Sequence, residues 1–286
     1  MNISIITPIY KGNKYLNKYL ENISQASEKL TDIEVIWIND SPEIEIEYDK
    51  DLIKNFTLKI IENHENLGIH KSRCIGLKEA KGKYILFLDQ DDEITEKTLI
   101  TQYTLIKENN CNIILGNGIY EDGENDNKIF ANKFSQKFAT QKKPYIMARN
   151  FIISPGQCLI KRESIPQYWI KNAQKFNGAD DYLLWLLMLN ENVKICCNYD
   201  IVYIHKYTGE NYSLNPDKMF KSQLELVKLL ENNTKYNRKD LKLLKRTILY
   251  KHNYRQNFIK ESLKNLDIFI YNIYYRIIWK GYILKK

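Results

Sequence analysis

The chain has 286 residues, 44% hydrophobic and 27% charged, with a formal net charge of +8. That composition excludes a disordered tail protein, a collagen and a small disulfide scaffold, and it bounds the fold to one large domain with or without an appendage. The charge sits at one end: residues 235–286 hold 14 Lys/Arg against 3 Asp/Glu, whereas the first 234 residues hold 29 against 32.

In chain order, residues 3–7 (ISIIT) read as a short apolar strand, and Tyr15, Leu16, Tyr19, Leu20 and Ile23 recur at helical spacing. Residues 34–38 (EVIWI) and 58–61 (LKII) are further strands, with Ile69, Arg73, Gly76, Leu77 and Ala80 on a helix behind them. Residues 84–88 (YILFL) form a fourth strand, Leu99, Tyr103 and Ile106 mark a helix starting near Thr95, and residues 112–115 (NIIL) form a fifth strand. Residues 122–127 (DGENDN) read as a turn, and residues 151–160 contain the bend Ser154-Pro155-Gly156. Residues 178–189 (GADDYLLWLLML) open as an acidic helix N-terminus, and residues 201–204 are a short strand ending at His205. From Pro216 the pattern is helical and increasingly basic. Short, wholly apolar strands between amphipathic helices predict an α/β fold, a doubly wound and mostly parallel sheet, with a C-terminal helical extension. The division falls at 1–215 and 216–286.

No run reaches the ~20 apolar residues of a spanning helix; the nearest, 266–284, is interrupted by Asp267, Asn272, Arg276 and Lys280. The opening MNISIITPIY lacks the basic region and cleavage site of a secretory signal, so a cytoplasmic chain is expected. The five cysteines include no CxxC pair and are expected to be buried reduced thiols.

In such a sheet, ligands bind beyond the carboxyl ends of the strands. Those ends carry Pro8-Ile9-Tyr10, Asn39-Asp40-Ser41-Pro42 and Asp89-Gln90-Asp91-Asp92. Clustered carboxylates repel one another unless a cation neutralises them, and Mg²⁺ takes one or two carboxylates with phosphate oxygens and water. The pattern suits a metal-bound phosphate ester or diphosphate; the alternative is a solvated acidic turn. GxGxxG and GxxxxGK[ST] loops are absent, which weakens dinucleotide and P-loop readings. Asp180-Asp181 serve either as helix N-terminal acids or as a source of a general base. His205 is a cation or phosphate contact, or a structural histidine.

TPIY at 7–10, VIWINDSP at 35–42, NLGIHKSRCIG at 66–76, GKYILFLDQDD at 82–92, ADDYLLWLLML at 179–189 and IVYIHKYTGENYS at 201–213 occur in an order and spacing that resemble the inverting family 2 glycosyltransferases of GT-A fold. The resemblance implies that Thr7, Pro8 and Tyr10 line a uracil and ribose pocket, that Asp40 bonds the base, and that Arg73 supports the nucleotide side. It makes Asp89, Gln90 and Asp91 the DxD segment, with Asp91 the direct metal ligand and Asp89 nearer the ribose. It implies Asp181 as catalytic base, His205 as metal or diphosphate contact, and Asp180 and Gln157 on the acceptor side. Cys74, Pro42, Asp180 and Leu187 depart from the usual Asn, Gly, Glu and Arg, which bears on acceptor contacts and sugar identity.

The implied enzyme moves sugar from a UDP-sugar to a saccharide or lipid-linked saccharide in bacterial surface-glycan assembly, with Mn²⁺ or Mg²⁺. A phosphatase of haloacid-dehalogenase type is a rival, because FLDQDD resembles its opening strand and DxD. The basic tail also admits a nucleic-acid-binding protein, but an acidic rim would repel phosphates without a cation. Lys239, Lys242, Lys245 and Arg246, followed by an apolar, aromatic helix, suit an anionic membrane surface on the inner face of the cell. Packing on the catalytic part or on a second copy of the chain is the alternative.

Overall fold

The computed structural model describes residues 1–121, 127–207 and 214–279. Most of the 122–127 turn, residues 208–213 of the histidine segment, and Lys280 with the rest of the terminus lie outside the described residues. The first part runs β1 (Ile3–Ile9), α1 (Asn13–Ala26), β2 (Ile33–Asn39), β3 (Phe56–Glu62), α2 (Ile69–Glu79) and β4 (Tyr84–Phe87). The second runs β5 (Glu93–Ile94), α3 (Thr98–Glu108), β6 (Ile113–Glu121), β7 (Asn127–Lys128), α4 (Lys133–Phe138), α5 (Lys142–Met147), β8 (Cys158–Lys161), α6 (Gln167–Lys171), α7 (Asp180–Asn190) and β9 (Ile195–Lys206). Four helices follow: α8 (Pro216–Asn232), α9 (Arg238–Tyr254), α10 (Phe258–Lys264) and α11 (Leu266–Trp279).

Among the described residues the strands form one sheet in the order β3-β2-β1-β4-β8-β6-β9-β5, with β7 on β6. The long registers are parallel, β1 on β2 and on β4, β2 on β3, and β6 on β9; the antiparallel pairings span only two or three residues each. β2 is buried throughout and β1 nearly so, because helices cover both faces. On the α2 side the packing is close: a Cβ at Gly76 would stand 2.5 Å from Ile6 Cγ2 and 2.8 Å from Ile38 Cδ1. From β1 the chain winds outward to β2 and β3, then returns to place β4 on β1's other side. That reversal opens a crevice beyond the carboxyl ends of β1 and β4.

Three elements differ from the sequence expectation. β8 enters antiparallel between β4 and β6, where only a bend was expected. β9 is a twelve-residue strand with His205 inside it, not a short strand stopping before it. Its mixed burial and the register shifts around Asn117 erase the alternation that would have announced it. α3 starts at Thr98, since Glu93 and Ile94 pair with Ile204 and Tyr203 and Thr95 N–H donates to Val202 O.

The C-terminal helices pack on the sheet-bearing part. Tyr168 donates to Leu229 O (2.6 Å), Gln174 to Ser222 O (2.9 Å) and Asn272 to Met147 O (3.0 Å), while Glu225 accepts from the Lys175 and Phe176 amides. Leu226, Leu230, Leu241 and Leu244 join the main core. Among the described residues no helix is long and apolar enough to cross a membrane. The five cysteines are unpaired; Cys74, Cys111 and Cys158 are buried and Cys196 and Cys197 half-buried.

Candidate active site

A cleft of about 590 Å³ lies at the β1–β4 crevice, walled by Pro8, Tyr10 and Asp40 on one side and by Asp180 and Asp181 on the other. Tyr10 is exposed at the mouth, and its backbone is clamped to β4: Tyr10 N–H donates to Gln90 Oε1 (2.9 Å) and Gln90 Nε2 donates to Tyr10 O (3.1 Å). Gln90 therefore holds two strand ends together. Asp40 is buried and accepts from Asn63 Nδ2 (2.7 Å), Leu67 N–H (2.7 Å) and Gly68 N–H (2.9 Å). Gly68 has φ +83°, so a residue with a side chain there would be strained. A carboxylate offers about four acceptor positions, and these bonds leave room for one more donor.

The floor is a set of acids, two of them paired with Arg73 and one with His205. Arg73, 3% exposed, places Nη2 2.5 Å from Asp89 Oδ1 and Nη1 2.7 Å from Asp180 Oδ2. It ties the end of β4 to the start of α7. Asp92, just before β5, is buried against β9, accepting from the Tyr203 hydroxyl and from Lys206 N–H (3.1 Å), with His205 Nδ1 at 3.1 Å. Burial opposes the His205 imidazolium, but its bond to Asp92 and the charges of Asp92, Asp89 and Asp91 prevail and raise its pKa. Burial, then Asp92 and Asp89, push the Asp91 carboxyl up to about 7. Asp181 accepts from Asn150 Nδ2 (2.8 Å) and Tyr182 N–H (2.6 Å). Burial and the adjacent Asp180 outweigh Arg73 and lift its pKa to about 8.

Among the described residues no three His, Cys, Asp or Glu side chains gather as a metal cage. A divalent ion bound with a diphosphate needs only one or two protein ligands, however. Asp91 and His205 line the same cleft, with the carboxylates of Asp89 and Asp92 beside them. One carboxylate and one imidazole fit a divalent cation whose other ligands are diphosphate oxygens and water.

The expected residues Pro8, Tyr10, Asp40, Arg73, Asp89, Gln90, Asp91, Asp180, Asp181 and His205 all line this cleft. Thr7 and Gln157 do not. Thr7 is fully buried, its hydroxyl 2.6 Å from that of Tyr19 inside the sheet–helix core. Gln157 is fully buried too: Oε1 accepts from Ile153 N–H (2.9 Å) and Nε2 donates to Gly116 O (3.2 Å), closing the turn opened by Ser154. Asn66, Asn177, Lys218 and Met219 were not foreseen. Lys218 stands in the first turn of α8, after an Asn215-Pro216 helix start that is legible; that this turn folds over the cleft is not.

The fold is that of the GT-A glycosyltransferases. It superposes on the Staphylococcus aureus TarS fragment 1–349 in complex with UDP-GlcNAc with a TM-score of 0.64, covering 98% of this chain and 82% of that one at 19% identity. The sequence profile of Glycosyl transferase family 2 matches residues 4–169. The chain belongs to that family and is a glycosyltransferase. It is 26% identical over 213 residues to the glycosyltransferase GlyG of Streptococcus pneumoniae serotype 4, covering 67% of this chain and 69% of GlyG. It is 25% identical over 291 residues to the poly(ribitol-phosphate) beta-N-acetylglucosaminyltransferase TarP of Staphylococcus aureus strain N315, covering 93% and 84%. The phosphatase reading of FLDQDD is overturned by this membership.

Proposed function

We propose that the protein is an inverting transferase that moves a hexosyl or N-acetylhexosaminyl group from UDP to a saccharide or lipid-linked saccharide in bacterial surface-glycan assembly. The observation carrying this is one cleft whose walls, the Asp89–Asp91 turn and the Asp180–Asp181 helix start, are joined through Arg73. TarS, crystallised with UDP-GlcNAc, and TarP, a transferase to poly(ribitol phosphate) by name, support the donor class and a cell-surface polymer as acceptor.

In this reading Pro8 and Tyr10 face the nucleoside, and the remaining acceptor position of Asp40 takes its base. Asp91 and His205 hold Mn²⁺ or Mg²⁺, which when bound supplies Lewis-acid stabilisation to the departing diphosphate. Asp181 takes the proton of the acceptor hydroxyl as that oxygen attacks the anomeric carbon from the face opposite UDP. A pKa near the working pH suits that transfer, and Asn150 fixes the orientation of the carboxylate. Attack and departure on opposite faces invert the centre without a covalent intermediate.

Residues 1–215 form the catalytic unit, and 216–286 an extension that lends Lys218 to the cleft. The enzyme works in the cytoplasm, with the extension against the membrane's inner face. A thermal-shift panel of nucleotide sugars with and without Mn²⁺ tests the reading. A UDP-sugar and Mn²⁺ together are expected to raise Tm more than either alone, and Asp91→Ala to remove the Mn²⁺ increment. No shift with any nucleotide sugar would overturn it.

A further inference from the structure

A second cleft, about 340 Å³, lies between α9 and α11, lined by Tyr250, Lys251, Tyr254, Arg255, Phe269, Asn272, Ile273 and Arg276. Three of these residues, Lys251, Arg255 and Arg276, are basic and none is acidic. Arg255 and Arg276 are exposed, and Lys251 is half-buried. Burial, then Arg149 and Arg276, drive the Lys251 pKa down to about 7. Lys251, Arg255 and Arg276 thus face one cleft whose lining contains no carboxylate, a complement for an anion.

The cleft opens beside an apolar surface. Ile259, Leu263, Leu266 and Ile270 on α10 and α11 are each more than half exposed. Ile273, 44% exposed, belongs to both surface and cleft, and Phe269 in the cleft wall packs edge-on against exposed Phe258. Soluble phosphate would satisfy the cations and leave this surface in water. A nucleic acid would do the same. A phospholipid covers both, with its phosphate on the cations and its acyl region on the isoleucines and leucines.

We propose that the α9–α11 cleft binds the phosphate of an anionic phospholipid headgroup while the adjacent α10–α11 face lies in the membrane interface. The proposal rests on the membrane reading of the extension and adds to it a defined headgroup site.

Cosedimentation of the full chain with phosphatidylcholine vesicles, with and without phosphatidylglycerol, tests it. Phosphatidylglycerol is expected to raise the bound fraction, and Lys251→Ala/Arg276→Ala to lower that gain about tenfold or more. Leu263→Ser/Ile270→Ser is expected to reduce binding to both vesicle types. The UDP-sugar and Mn²⁺ thermal shift is expected to persist in both variants, which shows that they fold. If binding to phosphatidylcholine occurs without any phosphatidylglycerol gain, or the gain survives the cation substitutions, the headgroup site falls and the membrane reading stands. If no vesicle binds, both fall, with the catalytic reading untouched. If inorganic phosphate raises the Tm of wild type but not of Lys251→Ala/Arg276→Ala, and vesicle binding shows no gain, the occupant is soluble phosphate and the lipid assignment is wrong.

Discussion

At the scale of single residues the cleft is held by unlike charges that do not balance. Arg73 faces two carboxylates, Asp89 and Asp180, and Asp181 stands beside the second of these. Removing the guanidinium leaves buried Asp180 and half-buried Asp89 without a counter-charge, and breaking a buried pair typically costs ~3–5 kcal/mol. Arg73→Ala is therefore expected to lower stability by about that much in denaturant titrations, and Arg73→Ala/Asp180→Asn to recover part of it. Asp181→Asn acts in the opposite sense. The folded carboxyl keeps its proton up to about pH 8, whereas the unfolded one releases it near 3.8. The wild type thus loses stability relative to the unfolded chain as pH rises through this window. Asp181→Asn is expected to exceed wild type in Tm at about pH 8, with the advantage shrinking toward about pH 4. Transfer should fall ~10²–10⁴-fold in the same variant, with UDP and Mn²⁺ binding retained. Wild-type transfer in Asp181→Asn would exclude it as the base. Site legibility also failed residue by residue. Thr7 sits on a strand buried on both faces, so alternation could not say which polar side chain looks outward. Gln157 follows Ser154 at the Ser-x-x-Gln spacing of a capping box, a structural signal present in the sequence but read there as an acceptor contact.

At the scale of elements, the strands read best from sequence were those whose apolar run is unbroken. β1, β2 and β4 pack helices on both faces, and their composition says so without reference to partners. β8 has four residues and is specified by its neighbours; β9 is partly exposed and irregular in register, so its extent depends on β6. The close contact of α2 with the sheet supplies a test of this packing. Alanine in a helix is favoured over glycine by ~0.8–1.0 kcal/mol. At Gly76, however, the new methyl would meet Ile6 Cγ2 at 2.5 Å, and an isoleucine with its branch at Cβ cannot swing clear. Overpacking typically costs ~1–3 kcal/mol, so Gly76→Ala is expected to be net destabilising and Gly76→Val more so, measured by thermal unfolding. An unchanged or higher Tm for Gly76→Ala would mean that α2 can move away from β1 and β2.

At the scale of the molecule, the C-terminal helices and the sheet-bearing part share one core and one cleft. The cleft draws Asp91 from the β4 turn and Lys218 from α8, although the two are far apart in sequence. Helix periodicity revealed α8 and the basic character of the tail, but no local pattern states against which surface a helix turn comes to rest. Lys218 lines the cleft; in the proposed reaction its ammonium would meet the charge of the departing diphosphate, and hydrogen bonds to charged groups contribute roughly 1.5–3 kcal/mol. Lys218→Met keeps the length of the stem and removes the charge. Its expected effect is a fall of about tenfold or more in kcat/KM for the UDP-sugar. A merely structural lysine would instead lower Tm and leave the donor dependence alone. Deleting the whole extension is a different perturbation. A 1–215 fragment loses Leu226, Leu230, Leu241 and Leu244 from the core and the bonds of Tyr168, Gln174, Lys175 and Phe176 to α8. It is expected to aggregate or unfold, whereas Lys218→Met stays folded. If the fragment folded and transferred sugar as well as the full chain, Lys218 would have no part in the reaction and the extension would be separable from the enzyme.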